Sequence, residues 1–226
     1  MTTPLPAALL WDFDGTTVDS EGSWERAEMR WLAHLGGPRP GVAMEREPGA
    51  SLDGTIDWIH EAAGVPVTDR AAVRRALCEL AIEEYRADGP VVLPGVRELM
   101  TQAELAGVPN LLVSANETWL LRRVISGWQR QPYLHLVGED MVEHSKPAPD
   151  LYLEAARLLG VDPARCIAFE DSRTGATAAV AAGCFTVGVT GQETAAVEGV
   201  AMRVDGLSGV GLDEVVARWR AWSAVS

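Results

Sequence analysis

The feature that most constrains this chain is an alternation of short, largely apolar runs with longer amphipathic segments. The runs are Ala7 to Phe13, Val108 to Val113, Tyr133 to Val137, Cys166 to Phe169 and Cys184 to Val189. Runs this short and continuous suit strands covered on both faces. From the second run to the last, intervals of roughly 20 to 30 residues leave room for a crossover helix. The expected fold is therefore α/β: a Rossmann-like, three-layer parallel sheet with helices on both sides. A short last strand is expected near Met202 to Val204 and a C-terminal helix from about Leu212.

The first interval breaks the rhythm. From Asp19 to about Gly89 the chain reads as three amphipathic helices, GSWERAEMRWLAHLG, SLDGTIDWIHEAAG and DRAAVRRALCELAIEEYRADG, separated by the breakers GGPRPG and EPGAS. The expected organisation is a core domain of residues 1–18 and 90–226 with an all-helical subdomain, 19–89, inserted after the first strand. Trp24, Trp31 and Leu35 fall at i, i+7 and i+11 and are expected to form the insert's core stripe.

Composition narrows the class. At 226 residues, 47% hydrophobic and 23% charged, the chain can bury a large core and is neither a disordered tail nor a fibrous rod. Its 32 acidic against 19 basic residues give a formal charge of −13, which repels nucleic acid and anionic lipid. Cys78, Cys166 and Cys184 are far apart and without a CxxC, against both a disulfide framework and a zinc site. No signal-peptide pattern and no run of about 18 apolar residues stands in the sequence, so a cytoplasmic protein is expected, a monomer or weak homodimer.

The polar residues that end the apolar runs carry the chemistry. Asp12 and Asp14 close the first, Ser114 the second, and Glu170 and Asp171 the fourth. In an open parallel sheet, ligands bind in the crevice outside the carboxyl ends of the strands, so these groups are expected to converge. Period-two alternation would put Asp12 and Asp14 on one side, and with Asp171 they form a hard-oxygen cluster suited to Mg²⁺. Of the nineteen basic residues, Lys146 in HSKPAPD is the only lysine. An ammonium is a compact point charge that can touch a phosphate and a carboxylate at once. A carboxylate nucleophile, a second acid, a hydroxyl, a lysine and a metal-binding acid are the parts needed to move a phosphoryl group. An anionic Asp12 approaches a phosphate only when Mg²⁺, Lys146 and N–H or hydroxyl donors neutralise its oxygens.

With these residues in place, the sequence resembles the haloacid dehalogenase superfamily of Mg-dependent phosphatases, in the branch with a helical cap, similar to β-phosphoglucomutase-like and phosphoglycolate phosphatase-like proteins. The resemblance runs from about Ala7 to Val189 and is carried by DFDGTTVDSE, LLVSAN, SKPAPDLY and EDSRTGATAAVAAG. It implies that Asp12 is the nucleophile that forms an aspartyl-phosphate, and that Asp14 is the general acid/base and gives its backbone carbonyl to the metal. It implies phosphate contacts from Ser114, the Ala115 N–H, Asn116 and Lys146, Asp171 on the metal, and Glu170 on the metal or behind it. The family often has Gly where Ser145 stands. The implied partner is a small phosphate ester, hydrolysed with Mg²⁺ as cofactor, and the implied substrate filter is the insert, with Trp24, Arg46 and Ser51 as candidate contacts. Asp14, two residues after the nucleophile, argues against dehalogenation, and the absence of a lysine from the insert argues against phosphonoacetaldehyde hydrolysis. The alternatives are a sugar-phosphate mutase, although Trp24 stands where that subfamily has a His, and an idle regulator that binds a phosphometabolite.

Overall fold

The computed structural model describes residues 4–42, 51–89 and 91–224. Two compact units are present, one of Met1–Asp19 with Val91–Ser226 and one of Ser20–Pro90.

The larger unit is built on six strands: β1 (Ala8–Trp11), β2 (Asn110–Val113), β3 (Tyr133–Val137), β4 (Cys166–Glu170), β5 (Phe185–Val189) and β6 (Met202–Val204). All pair in parallel, in the order β3-β2-β1-β4-β5-β6. The chain winds outward from β1 to β3, then returns to lay β4 against the other side of β1. The β1/β4 seam is thus the switch point, where a crevice opens at the carboxyl edge.

Both faces of β1 are buried, which is why its run is apolar throughout. On one face Ala8, Leu10, Leu111, Val113, Val137, Cys166 and Ala168 join one cluster with Leu151, Tyr152, Ala155, Ala178 and Ala179. On the other, Trp11 stacks on Phe169 with centroids 4.3 Å apart, and its indole N–H reaches Asn110 Oδ1 at 2.8 Å. Asn110 in turn donates to Met100 O at 3.2 Å, so this buried amide is satisfied as both donor and acceptor.

The helices of the whole chain are α1 (Glu21–His34), α2 (Leu52–Ala63), α3 (Arg70–Asp88), α4 (Val96–Leu105), α5 (Thr118–Ile125), α6 (Asp150–Leu159), α7 (Arg173–Ala181), α8 (Gly191–Ala195) and α9 (Leu212–Ser223). Local chemistry sets several of their ends. Ser172 caps α7 by accepting from Gly175 N at 3.0 Å, and Gly160 stops α6 with φ 66°. Among the described residues no helix is long and apolar enough to cross a membrane.

The smaller unit comprises α1, α2 and α3. Ser51 caps α2 through Gly54 N at 3.1 Å, and Asp69 caps α3 through Ala72 N at 3.0 Å. Its core differs from expectation. The buried residues of α1 are Ser23, Ala27, Glu28 and Leu32, while Trp24, Trp31 and Leu35 are only half-buried. Small side chains let α1 lie close along α3, and the bulky indoles are displaced to the flank. There the Trp31 N–H meets the buried His60 Nε2 at 3.3 Å.

Candidate active site

β1 ends at Trp11, but its ladder extends one step: Asp12 N–H donates to Phe169 O at 3.1 Å. Asp12 is thereby fixed at the mouth of the β1/β4 seam, 6% exposed. The chain then turns through Gly15, φ 76°, into a bridge between Asp14 and Val18. A Cβ on Gly15 would overlap the Asp171 carboxylate, so only glycine lets this turn pass beneath that side chain. The turn is braced by Thr17 Oγ1 on Asp12 O at 2.6 Å and by Thr16 Oγ1 on Asp171 Oδ1 at 3.1 Å.

Lys146 stands between two carboxylates. Its Nζ lies 2.5 Å from Asp12 Oδ1, 2.5 Å from Glu170 Oε1 and 3.2 Å from Val113 O, so the three ammonium protons have three acceptors. Glu170, the last residue of β4, is wholly buried. Its Oε1 also accepts from the Tyr152 hydroxyl, and its Oε2 from Ser172 Oγ at 3.3 Å. A Cβ on Gly175 would overlap this carboxylate, which explains a glycine inside the first turn of α7.

Electrostatics follow from the crowding. Burial, then the nearby Glu170 charge, raises the Asp12 carboxyl to about 7 against the pull of Lys146. Burial, then Asp12, raises Asp171 to about 7, and burial raises Glu170. Burial works against the charge of Lys146, but Asp12 and Glu170 outweigh it and hold the ammonium above its ordinary range. Three acids thus share one buried cation.

One carboxylate oxygen each from Asp12, Glu170 and Asp171 lies within 4.8 Å of the others. These are hard oxygens carrying more negative charge than Lys146 balances, the donor set of a Mg²⁺ or Ca²⁺ site rather than of zinc. The cluster differs in one member from that expected from alternation. Asp14 lies in the turn beyond the strand, where period two no longer applies, and its Oδ2 accepts from Asn116 Nδ2 at 2.5 Å.

Ser114, buried at the end of β2, accepts from Asn116 N at 3.1 Å, leaving its own O–H to donate, while Ala115 is exposed at the loop tip. Trp24 is half-buried in α1, Ser51 is occupied as a helix cap, and Arg46 lies outside the described residues. Thr16, Tyr152 and Ser172 also belong to the site, through Asp171 and Glu170, without standing out in the sequence. Tyr152 sits six positions after Lys146, inside a helix whose periodicity alone marks it as core.

A doubly wound parallel sheet with buried acids and a lysine at its switch point is the architecture of α/β enzymes that open a ligand crevice at the carboxyl edge of the sheet. The chain belongs to the haloacid dehalogenase-like hydrolases, whose family model matches residues 6–183. It is similar to hexitol phosphatase B of Escherichia coli (strain K12), 33% identical over 193 residues covering 80% of this chain and 83% of that protein. It is also similar to Protein CbbY of Rhodobacter capsulatus, 32% identical over 204 residues, 80% of this chain and 83% of that one. Among solved structures, β-phosphoglucomutase from Clostridium difficile shares the fold, with a TM-score of 0.80 at 19% identity over 97% of this chain and 100% of that one.

Proposed function

We propose that this protein is a Mg²⁺-dependent phosphatase that hydrolyses a small phosphomonoester, a sugar phosphate or similar metabolite, through an aspartyl-phosphate on Asp12. The observation that carries the reading is the Asp12 carboxylate held 2.5 Å from Lys146 at the β1/β4 switch point, beside the carboxylates of Glu170 and Asp171. The names of the relatives support the substrate class. They include hexitol phosphatases A and B and a fructose-1-phosphate phosphatase, all from Escherichia coli (strain K12).

Asp12, Asp171 and the Asp14 carbonyl would hold the ion, with Glu170 as a further ligand or as the anchor of Lys146. When bound, Mg²⁺ supplies positive charge that offsets the clustered carboxylates and the phosphate oxygens. Lys146, the Ser114 hydroxyl and the Ala115 N–H are assigned to phosphate oxygens. In the first half-reaction an Asp12 oxygen bonds to phosphorus, the bond to the ester oxygen breaks, and Asp14 gives that oxygen a proton. In the second, Asp14 takes a proton from water, the water oxygen bonds to phosphorus, and the bond to Asp12 breaks. Phosphate leaves and both acids return to their starting states. The helical unit Ser20–Pro90, inserted after the first motif, is assigned the choice of leaving group.

The test is phosphate release from a panel of hexitol phosphates, fructose 1-phosphate and nucleotides, with Mg²⁺ or with chelator, using Asp12→Asn as blank. Release that needs Mg²⁺ and disappears in Asp12→Asn is expected. Isomerised sugar phosphate without release would reassign the protein as a mutase. Release unaffected by the substitution would overturn the mechanism.

A further inference from the structure

Asn116 lies in the loop after β2 and is fixed at three points. Its backbone N–H donates to Ser114 Oγ at 3.1 Å, and its carbonyl accepts from Glu139 N–H at 3.1 Å. Gly138 passes so close that a Cβ there would sit 2.6 Å from both Asn116 O and Thr118 N. Thr118 itself is tied by its N–H and hydroxyl to Asp140, at 2.7 and 2.6 Å. From this anchored backbone the side-chain amide is aimed at Asp14, with Nδ2 2.5 Å from Oδ2.

We infer that Asn116 is a positioning residue for Asp14, fixing the carboxyl that serves the leaving group, rather than a ligand of the transferred phosphate. The inference rests on the phosphatase reading. Asp14 is half-buried, on a turn beyond the end of β1. An amide donor whose backbone is held at both its N–H and its carbonyl fixes where one Asp14 carboxylate oxygen lies. The order lost without it falls on proton delivery to the ester oxygen, not on phosphate capture.

The two roles separate by leaving group. A sugar alkoxide needs a proton as its bond to phosphorus breaks, whereas p-nitrophenolate is a far weaker base and departs without one. In the full chain with Mg²⁺, Asn116→Ala is expected to lower kcat/KM for a hexitol phosphate or fructose 1-phosphate by about 10- to 100-fold, a fraction of the usual general-acid contribution. For p-nitrophenyl phosphate the loss stays within about threefold, and inhibition by inorganic phosphate is unchanged. Gly138→Ala, which displaces the Asn116 carbonyl, is expected to give the same leaving-group-dependent pattern. A melting temperature near that of the wild type shows that the fold is kept. An equal loss on both esters with weakened phosphate inhibition would make Asn116 a phosphate ligand and overturn the inference. No loss on either ester would overturn it too. If the wild type itself releases no phosphate from either ester, the phosphatase reading falls, a result visible without any variant.

Discussion

Replacing Lys146 with methionine keeps most of the side chain's volume and deletes the one cation buried between Asp12 and Glu170. Both carboxylates lose a contact of 2.5 Å, Val113 O loses one of 3.2 Å, and neither acid is more than 9% exposed, so water cannot take over. Removing one partner of a buried ion pair costs about 3–5 kcal/mol. For a chain of this size that is a fall of roughly 6–20 °C in melting temperature. The sign of its pH dependence follows from the acids left behind. Their folded-state values are already raised, Asp12 to about 7, and without the ammonium they rise further. A raised acid favours the folded state while it is protonated, and that contribution disappears as pH climbs through the folded value. In metal-free protein the gap between wild type and Lys146→Met should therefore be small at pH 5 and wide at pH 8. Adding Glu170→Gln to the variant should recover part of the loss, because one of the two carboxylates that Lys146 had paired is then neutral. Thermal melts in chelator at both pH values decide the matter. A gap equal at pH 5 and pH 8, or a double variant no more stable than the single one, would refute the argument.

Asp12→Asn should abolish phosphate release while leaving the metal-free protein at least as stable at pH 8, since it removes a buried charge whose acid form is favoured up to about 7. Gly15→Ala forces a side chain into φ 76° and against Asp171, and should cost about 1–2 kcal/mol in a melt and raise the Mg²⁺ concentration for half-maximal activity. Mg²⁺ at about 100 times its pH 8 dissociation constant should add about 2.7 kcal/mol of stability at pH 8, and the same concentration should add less at pH 6 because the ligands must be deprotonated. Cys78, Cys166 and Cys184 are buried, with the Cys166 thiol pushed up to about 12 by burial, so alkylation should be slow in native protein and complete after denaturation, read by mass spectrometry.

What was legible in the sequence had a local signature. β4 is paired on both sides and buried throughout, so CIAF reads as a short apolar run, whereas the edge strands β3 and β6 are partly exposed and their runs YLHLV and MRV each carry a polar residue in the middle. Asp12, Ser114 and Glu170 could be placed because each ends such a run, and parallel topology gathers those ends. The less legible features depend on tertiary distance. Trp24 and Trp31 have core periodicity, yet the close approach of α1 to α3 gives the interior to Ala27 and Leu32. Asp14 follows Asp12 by two residues, but the strand has already ended, so its carboxyl turns to Asn116, 102 positions away in the chain. The hydroxyl of Tyr152 reaches Glu170 only because α6 lies on the sheet and buries Tyr152 in one cluster with Cys166 and Ala168 of β4, and nothing in DLYLEAARLL distinguishes that tyrosine from a core residue.

The single lysine acquires a physical reason from the same geometry. Three acceptors, two carboxylate oxygens and a carbonyl, close on one nitrogen, with two of the contacts at 2.5 Å. An ammonium offers three protons from one centre and satisfies all three. A guanidinium spreads its donors over a rigid plane several ångströms wide, so in this space it would leave protons unpaired or push Asp12 and Glu170 apart. Elsewhere the chain uses arginine for positive charge, and there the forked geometry suits the partners: Arg26 and Arg30 hold Glu83 and Glu84 on an open helix surface, at 2.7 Å in each ion pair. Charge alone would not separate these positions. The restriction is on shape, and it makes Lys146→Arg, although it preserves the charge, a substitution that this site cannot accommodate without moving Asp12.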